Sequence, residues 1–212
     1  MGRWVTWNNE RGVPLRRVLP LLMLLSSPVS LAGEVQSARP DDDWWRGEVT
    51  RYGLELERSA ASSHWAAVER AYLALMKLEA PVTGEQHMLG VEAARQTGDL
   101  NKARARLRIA IATEEVPRAI DLLKSLDMTY GHVHLTRHRK RTRFFIETQP
   151  FAPEAVRAVT YAREVLRRDG VFDGRLPPGR YLFGGQCFSV AAGGSYAAYI
   201  DSGGRARWAD CP

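Results

Sequence analysis

The sequence predicts an α+β fold, in which antiparallel helical hairpins are followed by a small antiparallel β-sandwich-like domain that carries one inserted helix. Apolar residues recur every three or four positions from Trp45 to Leu126, which is the period of a buried helix face. After Asp127 the period shortens to two, which is typical of strands. The change of period divides the chain into a helical domain, 44–127, and a β-rich domain, 128–212.

The first 32 residues have the order of a secretory signal peptide. Arg16 and Arg17 precede an apolar run, and small residues then lead to a cleavage-like Ser30-Leu31-Ala32. The apolar run is too short to span a bilayer; the alternative interpretation is a short buried N-terminal helix. We expect a periplasmic or secreted protein that does not span the membrane, with residues 33–43 as a linker.

The charge of the chain argues against nucleic-acid binding. The formal net charge is +6, and residues 1–32, which contain four arginines and one glutamate, contribute +3 of it. The remainder is too weakly basic for a dedicated nucleic-acid binder, and export argues against that class as well. We therefore expect no nucleic-acid partner.

Five amphipathic helices are expected in the helical domain. Thr83 and Gln86 have the spacing of a capping box that opens the third helix. Gly98 would end that helix and Asp99 would cap the fourth, while Pro117 suits the first turn of a fifth. The apolar stripes of the first, second and fourth helices are Trp45, Val49, Tyr52 and Leu56; Trp65, Val68, Tyr72, Leu75 and Leu78; and Leu100, Ala103, Leu107, Ala110 and Ile111.

The third and fourth helices resemble a tetratricopeptide repeat. Gly98-Asp99-Leu100, followed by Ala103, Leu107 and Ala110, is similar to the turn and second helix of that repeat. The resemblance covers roughly residues 44–126 and implies helical pairs that present a groove to a partner protein. The alternative is an unrelated helical bundle.

The β-rich domain is predicted from alternating segments and turn residues. Strands at 130–135 and 143–147 are expected to pair as a hairpin, with the basic residues between them at its exposed tip. A helix is expected from Pro153 to Arg168, and Gly184-Gly185 predicts a second hairpin. A last hairpin would join 196–200 to 205–208.

One turn in this domain resembles the PEGA-type β-sandwich modules. Leu176-Pro-Pro-Gly-Arg-Tyr181, between strand-like segments, is similar to the L-x-P-G-x-Y turn of those modules, and the match covers residues 172–190. PEGA-type modules are common in bacterial envelope proteins and are generally not catalytic. The resemblance implies a non-enzymatic envelope module, in which the helix at 153–168 is an insertion.

Two cysteines, Cys187 and Cys211, lie near the C-terminus. In an oxidising compartment an isolated pair is more often bridged than free, and such a loop would stabilise the fold by roughly 3 kcal/mol. Two buried thiols or one reactive thiol are the alternatives. We predict a Cys187–Cys211 disulfide.

The chain shows no recognisable catalytic constellation. His132 and His134 would point the same way from one strand, but the sequence places no acidic residue beside them, so we interpret them as surface histidines. The metalloprotease, nucleophile-elbow and phosphate-loop motifs are absent. We expect no enzyme activity, cofactor or metal.

The densest basic segment lies between the first two predicted strands. Its cationic side chains are Arg137, Arg139, Lys140, Arg141 and Arg143. It is either a solvated loop or a contact for an anionic envelope glycan, lipid or acidic protein face. Arg104, Arg106 and Arg108 of the fourth helix are interpreted as a solvated face.

These patterns favour an exported, non-enzymatic protein-interaction or scaffold protein of a bacterial envelope. Its partner would be an envelope protein that contacts the helical repeats. The second hypothesis is a binding module for an anionic envelope glycan or lipid, which would use the basic hairpin tip.

Overall fold

The computed structural model describes residues 41–114, 116–137, 143–148 and 150–200, and within them the chain is an α+β protein. The helices are α1 Asp41–Ala61, α2 Trp65–Lys77, α3 Gly84–Thr97, α4 Leu100–Thr113, α5 Pro117–Thr129 and α6 Pro153–Asp169. The strands are β1 Gly131–Arg137, β2 Phe144–Ile146, β3 Val171–Leu176, β4 Gly179–Phe183, β5 Gln186–Val190 and β6 Ser195–Ile200. None of the helices within these ranges is long and apolar enough to cross a membrane.

The α3–α4 turn forms for local reasons. Thr83 accepts a hydrogen bond from the Gln86 amide, and the Gln86 side chain accepts one from the Thr83 amide, so the predicted capping box is confirmed. Gly98 ends α3 at a φ of 86°, a left-handed conformation that favours glycine. The Asp99 carboxylate then accepts from the Lys102 amide and caps α4.

The five N-terminal helices bury two apolar clusters. Small alanines let neighbouring helices approach closely, and larger side chains fill the remaining space. The first cluster, around α1 and α2, contains Leu56, Val68, Ala71, Tyr72, Leu75, Val82 and Ala93. The second, around α3, α4 and α5, includes Val91, Ala94, Leu100, Ala103, Leu107, Ala110 and Leu126.

The strands form two three-stranded sheets. One has the order β3-β1-β6 and the other has the order β2-β4-β5. β1 runs antiparallel to β3 but parallel to β6, so the β-rich part is not wholly antiparallel. The β4–β5 hairpin turns at Gly184-Gly185, as predicted, with positive φ at both glycines.

The expected β1–β2 hairpin is wrong. β1 lies in the middle of its sheet, where both edges are already paired, and β2 pairs with β4 in the other sheet. Alternation shows that a segment is a strand, but it does not identify the strand's partner. The strands on either side of the basic segment, β1 and β2, therefore belong to different sheets, and residues 138–142 between them lie outside the described residues. The second strand of the predicted last hairpin, 205–208, lies outside the described residues.

Helix α6 packs against both the helices and the strands. Ala155 and Ala158 belong to the cluster around α3, α4 and α5. Val159, Ala162 and Leu166, on the following turns, belong to the core of the β-rich part. One helix thus contributes to the packing on either side of the boundary predicted at 127/128, and whether 44–127 and 128–212 are separate domains stays a prediction.

Polar contacts reinforce this junction. Arg95 of α3 donates to Glu154 of α6 at 2.6 Å, and Tyr130 donates to the same carboxylate at 3.2 Å. Burial, and then Glu154, raise the pKa of Tyr130 to about 12. Tyr161 of α6 donates to the Asp99 cap at 2.7 Å, so the start of α4 is fixed by α6.

Candidate anion-binding site

A cavity of about 430 Å³ lies beside the C-terminal half of α6. Within the described residues, its lining consists of Arg137, Arg143, Phe144, Phe145, Arg163, Leu166 and Arg167. Four of the seven are arginines, and none is acidic. The volume is within the range of roughly 300–1,000 Å³ that small-molecule sites occupy. We call this set of residues the four-arginine cavity.

Helix α6 supplies two of the arginines. Arg163 and Arg167 are four residues apart, which places both on one side of the helix. Leu166 lies between them and is buried in the β core. Arg167 is in the last turn, where a cation interacts favourably with the negative helix end.

The end of β1 is fixed against the end of α6. The backbone amide of Arg137 donates to the carbonyl of Gly170 at 2.8 Å. The guanidinium Nη2 of Arg137 donates to the carbonyl of Arg167 at 2.7 Å. Gly170 ends α6 at a φ of 78°, and a Cβ there would lie 3.3 Å from Arg137 Nε. This close approach places Arg137 beside the α6 arginines.

Both phenylalanines belong to β2, and Arg143 immediately precedes that strand. The carbonyl of Arg143 accepts from the Gly184 amide at 3.1 Å. Phe144 is buried and stacks on Tyr181, with 5.5 Å between ring centroids, whereas Phe145 is 41% exposed. The cavity thus combines the packed ring of Phe144, the accessible ring of Phe145 and several arginine side chains.

Three arginines of the cavity, Arg143, Arg163 and Arg167, have no carboxylate partner within the described residues. Among the described residues, no salt bridge includes Arg143, Arg163 or Arg167. Arg163 Nε is buried without a hydrogen-bond partner in that same part of the chain. Burial raises the pKa of the Tyr181 phenol, and the Arg163 charge opposes that shift. Arginine side chains arranged in this way favour an anionic ligand.

Of the five predicted anion-binding residues, Arg137 and Arg143 line this cavity, while Arg139, Lys140 and Arg141 lie outside the described residues. The sequence interpretation missed Arg163 and Arg167. Their four-residue spacing on a predicted helix was a visible signal, but nothing in the sequence placed that helix beside Arg137.

His132 and His134 lie on one face of β1, and the structure brings an acidic residue to them. His132 Nε2 is 2.8 Å from an oxygen of Asp173, and His134 Nδ1 is 3.6 Å from the same oxygen. The interpretation that no carboxylate is nearby is therefore wrong, because the antiparallel pairing of β3 with β1 places Asp173 beside the two histidines. Even so, within the described ranges no three His, Cys, Asp or Glu side chains form a group that could hold a metal.

Arg106 is not part of a solvated face, contrary to the interpretation from the sequence. Its side chain is buried, donates to both Glu69 oxygens at 2.6 and 2.9 Å, and donates to the Gly90 carbonyl at 2.6 Å. Its guanidinium also lies 4.2 Å above the centre of the Tyr72 ring. Burial opposes ionisation of Glu69, but the Arg106 contacts outweigh it and lower the pKa of Glu69.

His87 completes this buried polar cluster. Its Nδ1 lies 2.9 Å from the Tyr72 hydroxyl, and the side chain is buried. Burial, and then the Arg106 charge, lower the pKa of His87, so the imidazole is held neutral. The polar groups of this cluster thus contact one another within the helical part.

The predicted disulfide stays a prediction. Cys187 lies in β5, opposite Leu182 of β4, whereas Cys211 lies outside the described residues.

No family model, curated protein or solved structure matches the chain significantly. The tetratricopeptide-like and PEGA-like resemblances therefore stay predictions.

Proposed function

We propose that the protein binds a multivalent oxyanion ligand in the four-arginine cavity. The observation that carries the proposal is the lining itself: the described residues around about 430 Å³ include four arginines and no carboxylate. This develops the hypothesis of a module for anionic envelope ligands, with the site moved from a hairpin tip to the groove between α6, β1 and β2.

Guanidinium chemistry supports an oxyanion. Each guanidinium carries five N–H donors in a fixed fork that matches the oxygens of phosphate or carboxylate. A hydrogen bond to a charged group contributes roughly 1.5–3 kcal/mol. Arg163 and Arg167 project from the same side of one helix, so the spacing of their backbone positions is fixed before an anion binds.

The test is calorimetric titration of the full chain with pyrophosphate at low salt. We expect saturable binding that weakens as salt is added, and an affinity at least about tenfold lower in Arg163→Gln/Arg167→Gln. Arg168→Gln is the matched control, because Arg168 is on the same helix but pairs with Asp169 outside the lining. Equal binding by the double variant and the wild type would overturn the proposal.

A second proposal concerns the helical part: an exported, non-enzymatic scaffold that contacts an envelope protein. It is supported by large apolar side chains that remain exposed on α1 and α2, namely Trp44, Leu54, Leu73 and Met76. Crosslinking of the mature chain in envelope extracts should yield a protein adduct that Leu73→Ser/Met76→Ser reduces. An adduct unaffected by these substitutions would contradict a role for that surface.

A further inference from the structure

We infer that the ligand of the four-arginine cavity is a phosphorylated amphiphile, in which an apolar chain or ring is attached directly to the anionic group. The inference rests on the proposed anion binding and specifies the rest of the molecule.

The side chains that line the cavity fall into two chemical groups. Arg137, Arg143, Arg163 and Arg167 offer only cationic donors, and Phe144, Phe145 and Leu166 offer only apolar surface. None of the seven carries a side-chain hydrogen-bond acceptor. A glycan bound here would have to desolvate hydroxyl donors without acceptor side chains to replace water, which costs free energy. An alkyl or aryl group has no hydroxyl groups to desolvate, and its contact with the apolar side chains adds favourable free energy.

The size of the cavity and the accessible ring support the same conclusion. A volume of about 430 Å³ is typical of sites for small organic molecules and exceeds what an inorganic phosphate fills. Phe144 and Leu166 belong to the β core, so they form a rigid apolar wall. Phe145 keeps 41% of its surface exposed although it belongs to a strand of that core region, and an apolar ligand would cover it.

The experiment compares four phosphates: inorganic phosphate, glucose 6-phosphate, butyl phosphate, and octyl phosphate below its micelle concentration. Each is titrated into the full chain under the same buffer and salt. We expect octyl phosphate to bind at least about tenfold more tightly than glucose 6-phosphate, with butyl phosphate in between, because each buried methylene adds affinity.

Two variants assign the effect to the cavity. Phe145→Ala should weaken octyl phosphate about fivefold or more and leave inorganic phosphate unchanged. Phe151→Ala is the control, since Phe151 is 97% exposed and outside the lining; it should change neither affinity. Arg163→Gln/Arg167→Gln should weaken binding of all the phosphates.

The outcomes separate the two proposals. If glucose 6-phosphate binds as tightly as octyl phosphate, or if chain length has no effect, the amphiphile inference is wrong and anion binding stands. If octyl phosphate binds equally well to the wild type and the double arginine variant, its binding is nonspecific and the inference is again wrong. If none of the phosphates nor pyrophosphate binds, both proposals fail.

Discussion

Arg106 and the arginines of the four-arginine cavity are the same residue type in opposite electrostatic surroundings. Arg106 is only 4% exposed and is matched by the Glu69 carboxylate, a backbone carbonyl and an aromatic ring. Arg143, Arg163 and Arg167 are more accessible but have no carboxylate partner within the part of the chain that the structure describes. The density of basic residues along a sequence does not separate these cases. The two cases are distinguished by whether each guanidinium has a carboxylate partner in the fold.

The arginines of the two groups differ in what their charges contribute. The buried Arg106 side chain stabilises one arrangement of α2, α3 and α4, and its removal leaves the partly buried Glu69 carboxylate without its closest partner. Cations that face one another around a cavity repel, and an added anion relieves that repulsion. Substitution should therefore reduce stability in the first group and ligand affinity in the second.

Replacement of Arg106 should have the largest effect on stability. Arg106→Met leaves the Glu69 carboxylate without its main partner, and we expect the free energy of unfolding to fall by about 3 kcal/mol or more. Urea denaturation measures the change. Arg108→Met is the control on the exposed side of the same helix and should stay within about 0.5 kcal/mol of the wild type. Equal losses in the two variants would show that the buried pair has no special importance.

The next largest effect is expected from Gly90→Ala, which tests how closely α3 approaches the Tyr72 ring. A Cβ at Gly90 would lie 2.7 Å from that ring, so the ring and Arg106 above it must shift, at a cost of about 1–3 kcal/mol. Gly47→Ala on α1, where nothing lies within 4 Å, should instead stabilise the fold by about 0.5–1 kcal/mol. Thermal melts that moved in the same direction for both variants would contradict this packing.

A smaller effect should appear in the pH dependence of stability. The lowered pKa of folded His87 means that the unfolded chain takes up a proton which the folded chain does not. The free energy of unfolding should therefore fall as pH drops below about 6.5, the ordinary histidine value, until the lowered folded pKa is reached. His87→Asn should flatten this slope in urea titrations between about pH 5 and 8, and His64→Asn on the surface should not. A slope that survives His87→Asn would assign the effect to other groups.

The smallest change in stability is expected at the cavity. Arg167→Gln removes one of several like charges, which stabilises, and one favourable helix-end interaction, which destabilises; the net change should lie within about 0.5 kcal/mol. Pyrophosphate should raise the melting temperature of the wild type through binding to the folded state, and raise it less in this variant. If Arg167→Gln greatly reduced the free energy of unfolding in the absence of ligand, Arg167 would be a structural residue like Arg106.

Features set by neighbouring residues could be predicted from the sequence. The Thr83–Gln86 capping box, the Gly98 stop and the Asp99 cap each depend on residues within four positions. The α+β class follows from the change of hydrophobic period, and the Gly184-Gly185 turn from backbone conformations that glycine tolerates.

Features that depend on contacts between residues far apart in the chain could not be predicted from the sequence. The partner of Arg106 is 37 positions away, and Asp173 reaches His132 only through strand pairing. Arg163 joins Arg137 because α6 packs against the strands, which no local pattern specifies. For the same reason, the pairing of β2 with β4 instead of β1 was not visible in the alternation of its residues.

The position of α6 limits how the chain can be divided for experiments. A fragment ending at residue 127 would lose Ala155 and Ala158 from its apolar cluster, together with Glu154 beside Arg95 and Tyr161 beside Asp99. A fragment beginning at 128 would expose the same side chains to water. We expect either fragment to be less soluble and less resistant to protease than the intact chain, so a cut for crystallisation belongs before α1 and not between the helices and the sheets.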